Sequence, residues 1–288
     1  MLKPVLQTFL DKPPSSEDSD YALFSAPLDL TTSYRRGTRF GPSAVRRESS
    51  YLDTYNERTG LDWEDIKLAD IGEVECPTVE EALDNIKKTI ETMRAIPVLL
   101  GGEHTITLGA LESLKPELII VFDAHLDLRN QLFDQKICHA TYLRRAYEKI
   151  KCEILVLGPR ALSREEVEFA KDHRDIRWFS SRKIRKDEDY VIKKVLETVE
   201  GVNSFYLSLD MDALDPSYAP GVGNPYPEGV SVTEMMNIIN ANVNEKLVGL
   251  DLVEIYPGYD TGLTAITGAY VLTETLYSHI NNTKNKLR

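Results

Sequence analysis

Two short stretches of this chain place metal-binding side chains on every second residue. Asp123-Ala124-His125-Leu126-Asp127 follows the apolar run Leu118-Ile119-Ile120-Val121-Phe122, and Asp210-Met211-Asp212 follows Phe205-Tyr206-Leu207-Ser208-Leu209. In extended chain alternate side chains share a face, so the donors of each stretch converge. Two further apolar runs end in the same way. Val98-Leu99-Leu100 leads to Gly101-Gly102-Glu103-His104, and Gly249-Leu250-Asp251-Leu252-Val253 leads to Glu254. Several unpaired carboxylates in one place repel each other and are expensive to bury. A metal cluster removes that conflict. Four aspartates (Asp123, Asp127, Asp210, Asp212) and two histidines (His104, His125) are too many ligands for one ion, unless some only support the others. They suit two ions about 3.5–4 Å apart with bridging carboxylates, a pair that activates water for hydrolysis. Hard oxygens with imidazole and no thiolate favour manganese or a similar ion over structural zinc.

Other polar residues invite plainer readings. Asp215 precedes Pro216 and reads as turn chemistry. Glu103 is open between a supporting role beside His104 and a solvated loop acid. His173 and His279 lie in polar helical surroundings and read as surface residues. Cys138 beside His139 suggests a Cys/His nucleophile, but such dyads are built in space rather than between sequence neighbours.

The donors need a scaffold that brings strand ends together. Short apolar runs alternate with amphipathic helical patterns along the chain, which predicts β-α units around a parallel sheet. Eight strands are expected: Tyr21–Ala26, Ile66–Ala69, Pro97–Leu100, Leu118–Phe122, Glu153–Leu157, Ile176–Phe179, Ser204–Leu209 and Lys246–Val253. Several are almost wholly apolar, as strands covered on both faces are. Thr78 with Glu81, and Ser231 with Glu234, read as capping boxes opening helices. Leu263 to Ile280 reads as a C-terminal helix. Sheets of this kind bind ligands at the carboxyl ends of their strands, which is where the acids and histidines fall.

The 288 residues suit one large α/β domain or two small ones, and 42% hydrophobic content allows a sizeable core. A net charge of −12 argues against a nucleic-acid partner and agrees with a cationic substrate. The three cysteines, Cys76, Cys138 and Cys152, show no CxxC or disulfide-like spacing, which suggests a reducing compartment. Met1 to Asp20 lacks an apolar stretch long enough for a signal peptide or a membrane span. No membrane partner and a cytoplasmic location are therefore expected.

Taken in order, Gly101-Gly102-Glu103-His104, Asp123 to Asp127, Ser208 to Pro216 and Asp251-Leu252-Val253-Glu254 resemble the ureohydrolase family, which contains arginases and agmatinases. Arg36 to Pro42 resembles the family's N-terminal segment, and Ala219-Pro220-Gly221 the loop after the paired aspartates. The resemblance implies one domain over residues 1–288, a three-layer α/β/α arginase-like fold with an eight-stranded parallel sheet, and two Mn²⁺ ions per subunit. It implies one ion on His104, Asp123, Asp127 and Asp210, and the other on His125, Asp123, Asp210 and Asp212. Asp123 and Asp210 would bridge, and Asp127 would also aim the activated water. His139, in Cys138-His139-Ala140-Thr141, falls at the proton-shuttle position, and Glu254 would pair with the substrate guanidinium.

Within the family, the segment Leu128 to Lys136 lacks the Ser/Thr/Asn-rich run that reads an amino-acid substrate, and Thr141 to Ala146 resembles agmatinase sequence. The expectation is agmatine cleavage to putrescine and urea, in putrescine and polyamine biosynthesis, by a homo-oligomer (trimer or hexamer). Glu103, Ala140 and Asn224 depart from the family pattern, and the loop around Asn224 lies near the substrate tail. N-aminopropylagmatine, guanidinobutyrate or arginine are alternative substrates. A single-zinc deacetylase on a related fold would leave His104 idle. A non-catalytic metal-binding subunit would have no use for His139.

Overall fold

The computed structural model describes residues 2–13 and 18–286; the segment Met1 to Asp20 lies partly outside them. Eight strands form one sheet: β1 Tyr21–Ala26, β2 Leu68–Glu73, β3 Ile96–Gly101, β4 Leu118–Phe122, β5 Glu153–Leu157, β6 Ile176–Phe179, β7 Phe205–Asp210 and β8 Leu247–Val253. Their spatial order is β2-β1-β3-β8-β7-β4-β5-β6, and every pairing is parallel. The strand-end acids and histidines therefore come from four adjacent central strands, β3, β8, β7 and β4.

Helices cover both faces. On one side pack α1 Gly41–Ser49, α6 Ser181–Lys186, α7 Glu188–Glu200, α8 Val232–Asn242 and α9 Leu263–Lys286; on the other, α2 Val79–Glu91, α3 Thr107–Leu114, α4 Tyr142–Ile150 and α5 Arg164–Asp172. The alternation along β4 shows the sandwich. Leu118, Ile120 and Phe122 join the core with Val195 and Ile239, while Ile119 and Val121 join the one with Ile86 and Leu111. This is the three-layer α/β/α architecture expected from near-continuous apolar strands.

Most local signals act as read. Ser231 and Glu234 form a reciprocal capping box at α8; at α2 only half of the expected box forms, the Thr78 hydroxyl accepting from the Glu81 amide while the Glu81 carboxylate takes the Thr78 hydroxyl rather than its backbone N–H. Asp215 accepts from the Ser217 and Gly229 amides in a turn. The three cysteines are free thiols. Among the described residues no helix is long and apolar enough to cross a membrane.

Three details differ. β2 begins and ends later than Ile66–Ala69, because the Ile66 amide closes a 3-10 turn on the Trp63 carbonyl. The strand then runs through a charged residue, Asp70, which is neutralised in the core by the Arg46 guanidinium at 2.7 and 2.9 Å. The C-terminal helix continues past Ile280 to Lys286, its polar extension tied down by Asn282, which donates to the Asn240 and Val243 carbonyls. His279 is not on the surface: it is buried, with Nδ1 2.6 Å from the Tyr21 hydroxyl. The polar neighbours in sequence disguised a helix packed deep against the sheet. His173 is half-buried and packs on Phe169.

Candidate metal centre

At the carboxyl edge of the sheet each strand delivers its donors through a specific backbone device. After β3, Gly102 passes so close to the Leu28 carbonyl that a Cβ would stand 1.9 Å from it, so only glycine lets the chain turn here. His104 then opens a 3-10 turn. After β4, Asp127 takes a left-handed backbone, φ 48°, and after β8 Glu254 does the same at φ 63°. Non-glycine residues are held in this region only where the surroundings over-determine it, often at functional sites. After β7, the Asp212 amide donates to Asp210 Oδ1 at 2.7 Å, and the Ala124 amide to Asp212 Oδ1 at 3.0 Å. Arg160 clamps the same segment from behind, donating to the carbonyls of Asp212, Ala213 and Leu214 and to those of Tyr226 and Pro227.

The donors meet in two groups that share Asp123. His104, Asp123 and Asp127 form one, and Asp123, His125 and Asp212 the other, each with ligand atoms within 4.8 Å of one another. His104 Nδ1 lies 3.0 Å from Asp210, 3.3 Å from Asp123 and 3.5 Å from Asp127. His125 Nδ1 lies 3.2 Å from both Asp123 and Asp212. His139 and Glu254 face this centre across a cavity of about 330 Å³, which Ser33, Arg129, Phe133, Glu166 and Asn224 also line. Seven of the eight expected site residues thus line one pocket, and the eighth, Asp123, lies against His104 and His125.

The electrostatics of this cluster are unbalanced without a cation. From the protein's own charges, burial and then Asp123 push the Asp127 carboxyl well above its ordinary range; burial and then Asp212 do the same to Asp210. Asp123 is held low, since the two histidines beside it, His104 and His125, outweigh burial. Burial disfavours the charged form of His104, yet Asp123 and Asp127 lift it to about 9. Glu254 is lifted to about 8 by burial, against the His104 amide that donates to it at 2.7 Å. His139 is lowered to about 4, by burial and then by His125.

A metal fits this arrangement. His104 Nδ1 is buried, has no hydrogen-bond partner and faces three carboxylates. A buried orphan nitrogen aimed at acids is costly unless something binds it. Hard oxygen donors with two imidazoles suit divalent manganese or a similar ion.

Several site features were not readable beforehand. Glu103 is fully buried and accepts from the Leu30 and Thr31 amides and from the Thr31 and Thr105 hydroxyls. It supports the loop after β1 and is not a solvated acid. That loop brings Ser33 to 3.2 Å from His139 Nε2. Nothing in the local sequence marks Ser33, because the contact spans more than a hundred residues. The Cys138 thiol is buried and shifted upward by that burial, opposite to an activated nucleophile.

Comparison with known proteins agrees with this geometry. The profile of the Arginase family matches residues 19–277, and the chain belongs to that family. It is similar to N(1)-aminopropylagmatine ureohydrolase of Thermococcus kodakarensis, 37% identical over 265 residues that cover 89% of each chain. It is also similar to guanidinobutyrase of Pseudomonas aeruginosa, at 36% identity, covering 93% of this chain and 88% of the relative. Among solved structures, the agmatine ureohydrolase of Thermoplasma volcanium superposes with a TM-score of 0.86 at 35% identity, covering 93% of this chain and 92% of the other. The chain is thus an arginase-family ureohydrolase.

Proposed function

We propose that the chain hydrolyses a small guanidino compound, with agmatine cleaved to putrescine and urea, and that it does so with two Mn²⁺ ions per subunit. The observation that carries the reading is the pair of His/Asp groups sharing Asp123, opposite Glu254 and His139 in one cavity. His104, Asp123, Asp127 and Asp210 would hold one ion, and His125, Asp123, Asp210 and Asp212 the other. Bound there, the ions supply Lewis acidity that makes water a nucleophile near neutral pH.

The remaining steps fall to side chains. Glu254 is oriented by the His104 amide and by the Tyr256 hydroxyl, which donates to it at 3.0 Å. A carboxylate so fixed pairs with a planar guanidinium through charge-assisted hydrogen bonds. The guanidinium charge in turn favours the ionised form that burial alone disfavours. Asp127 accepts a hydrogen bond from the attacking water and aims it. As the new C–O bond forms and the C–N bond breaks, the departing amine needs a proton. His139 delivers it from Nε2, the nitrogen that faces the Ser33 hydroxyl. Its depressed pKa makes it a ready donor once protonated.

Arg129 on the cavity wall favours a second reading. Its guanidinium lies 3.9 Å from Glu166, whose carboxylate already accepts from Ser163 and Leu128. An arginine there suits a carboxylate-tailed guanidine such as guanidinobutyrate, named by one of the relatives. The proposal also takes the whole chain as one ureohydrolase domain in a cytoplasmic homo-oligomer serving putrescine and polyamine synthesis. The test of substrate is urea release, after manganese reconstitution, from agmatine, N-aminopropylagmatine, guanidinobutyrate and arginine. Agmatine should have the highest kcat/KM. Preference for guanidinobutyrate would replace the substrate and keep the class, and no urea from any of the four would overturn both.

A further inference from the structure

The strand-end aspartate Asp251 has no part in the chemistry above. It is fully buried in β8, and hydroxyl groups surround its carboxylate. Ser208 donates to Oδ1 at 2.6 Å, while Thr107 and Tyr206 donate to Oδ2 at 2.6 and 2.9 Å. Ser208 thereby commits its single proton to Asp251. Its oxygen also lies 2.8 Å from His104 Nε2. With the proton already committed, Ser208 can only accept from that nitrogen. The Tyr142 hydroxyl stands 2.8 Å from the same nitrogen, and its ring stacks on the imidazole with centroids 4.2 Å apart. The tyrosine hydroxyl can either donate or accept, but an accepting Ser208 oxygen at 2.8 Å needs a proton on Nε2, which puts the neutral ring's lone pair on Nδ1. That Nδ1 is the buried, unpartnered nitrogen facing Asp123, Asp127 and Asp210.

We infer that Ser208 and Asp251 are positioning residues of the metal centre, fixing the orientation and tautomer of His104 so that Nδ1 presents its lone pair to a divalent cation. This rests on the two-ion reading of the site. Outer partners of ligating histidines act in this way and their loss weakens metal affinity about 10–100-fold. His125 sits differently, with its side chain 25% exposed on the cavity wall. The Ser208–Asp251 pair acts on the His104 position alone.

The test is calorimetric titration of metal-stripped protein with manganese chloride. Wild type is compared with Ser208→Ala, which removes the acceptor, and with Asp251→Asn. An asparagine amide can donate to Ser208, which turns the serine proton toward Nε2 and favours the wrong tautomer. Tyr206→Phe is the control: it removes a buried bond to Asp251 and leaves the Ser208–His104 contact. The expected result is two manganese ions per wild-type chain, with one of them about 10–100-fold weaker in Ser208→Ala and Asp251→Asn, and both unchanged in Tyr206→Phe. Either of the first two variants suffices if the other fails to fold. Wild-type binding of both ions by the folded variants, or an equal weakening in Tyr206→Phe, would overturn the inference. A wild-type chain that binds no manganese would instead overturn the metal reading beneath it.

Discussion

Removing metal should make the stability of this protein fall with rising pH, and restoring metal should abolish the fall. In the folded, metal-free chain Glu254 is raised from 4.5 to about 8, and His104 from 6.5 to about 9. Both groups keep a proton in the folded state at pH values where the unfolded chain has lost it. For Glu254, stability declines from its unfolded pKa up to its folded one. For His104, the favourable contribution is complete below 6.5 and is lost as pH climbs through 9. Between pH 7 and 8 each group accounts for about 1 kcal/mol, so together they remove roughly 2 kcal/mol. Asp127, Asp210 and His125 are raised as well and push in the same direction. Asp123 and His139, both depressed, have released their protons below this window. In a chain of this size the loss corresponds to a fall in Tm of about 4 °C. Thermal melts of chelator-treated protein at pH 7 and 8, with and without saturating manganese, measure it. Manganese should raise Tm at both pH values, and more at pH 8, since a cation replaces the protons. A metal-free Tm that is flat or rising over this interval would refute the electrostatic picture of the cluster.

Three further outcomes follow from named contacts. His139→Asn should lower kcat about 10²–10⁴-fold with manganese binding intact, measured by urea release beside a metal titration. Glu254→Gln keeps the shape but removes the charge opposite the guanidinium, so kcat/KM should fall about 10–100-fold, a loss that added manganese does not repair. Arg46→Met leaves Asp70 as a buried charge without its partner, and denaturant melts should show about 3–5 kcal/mol of destabilisation with the metal ligands unaffected.

Much of the site could be read from sequence because strand ends announce themselves. An apolar run that stops at Asp123 or Asp210 must leave the core there, and alternation then fixes which following side chains share a face. The sheet was legible for the same reason, since strands covered on both faces are nearly all apolar. β2 was harder, because Asp70 interrupts its pattern and only the distant Arg46 explains why a charge can be buried there. His279 was misread because polar neighbours say nothing about the helix face on which it falls. Ser33, Arg129 and Phe133 reach the cavity through loops whose course depends on contacts such as that of Glu103 with Thr31. The roles of Ser208 and Asp251 needed hydrogen-bond directions, which come only with coordinates.

The central claim is hydrolysis of a guanidinium at a two-ion centre, and urea formation tests it most directly. Metal-stripped protein is reloaded with manganese, the bound ions are counted, and urea and amine are quantified from agmatine beside Asp127→Asn. The account predicts two ions per chain, urea and amine in equal amounts, and loss of turnover in Asp127→Asn. Full manganese loading without urea from agmatine or any other guanidine, or an Asp127→Asn variant as active as its parent, would contradict it.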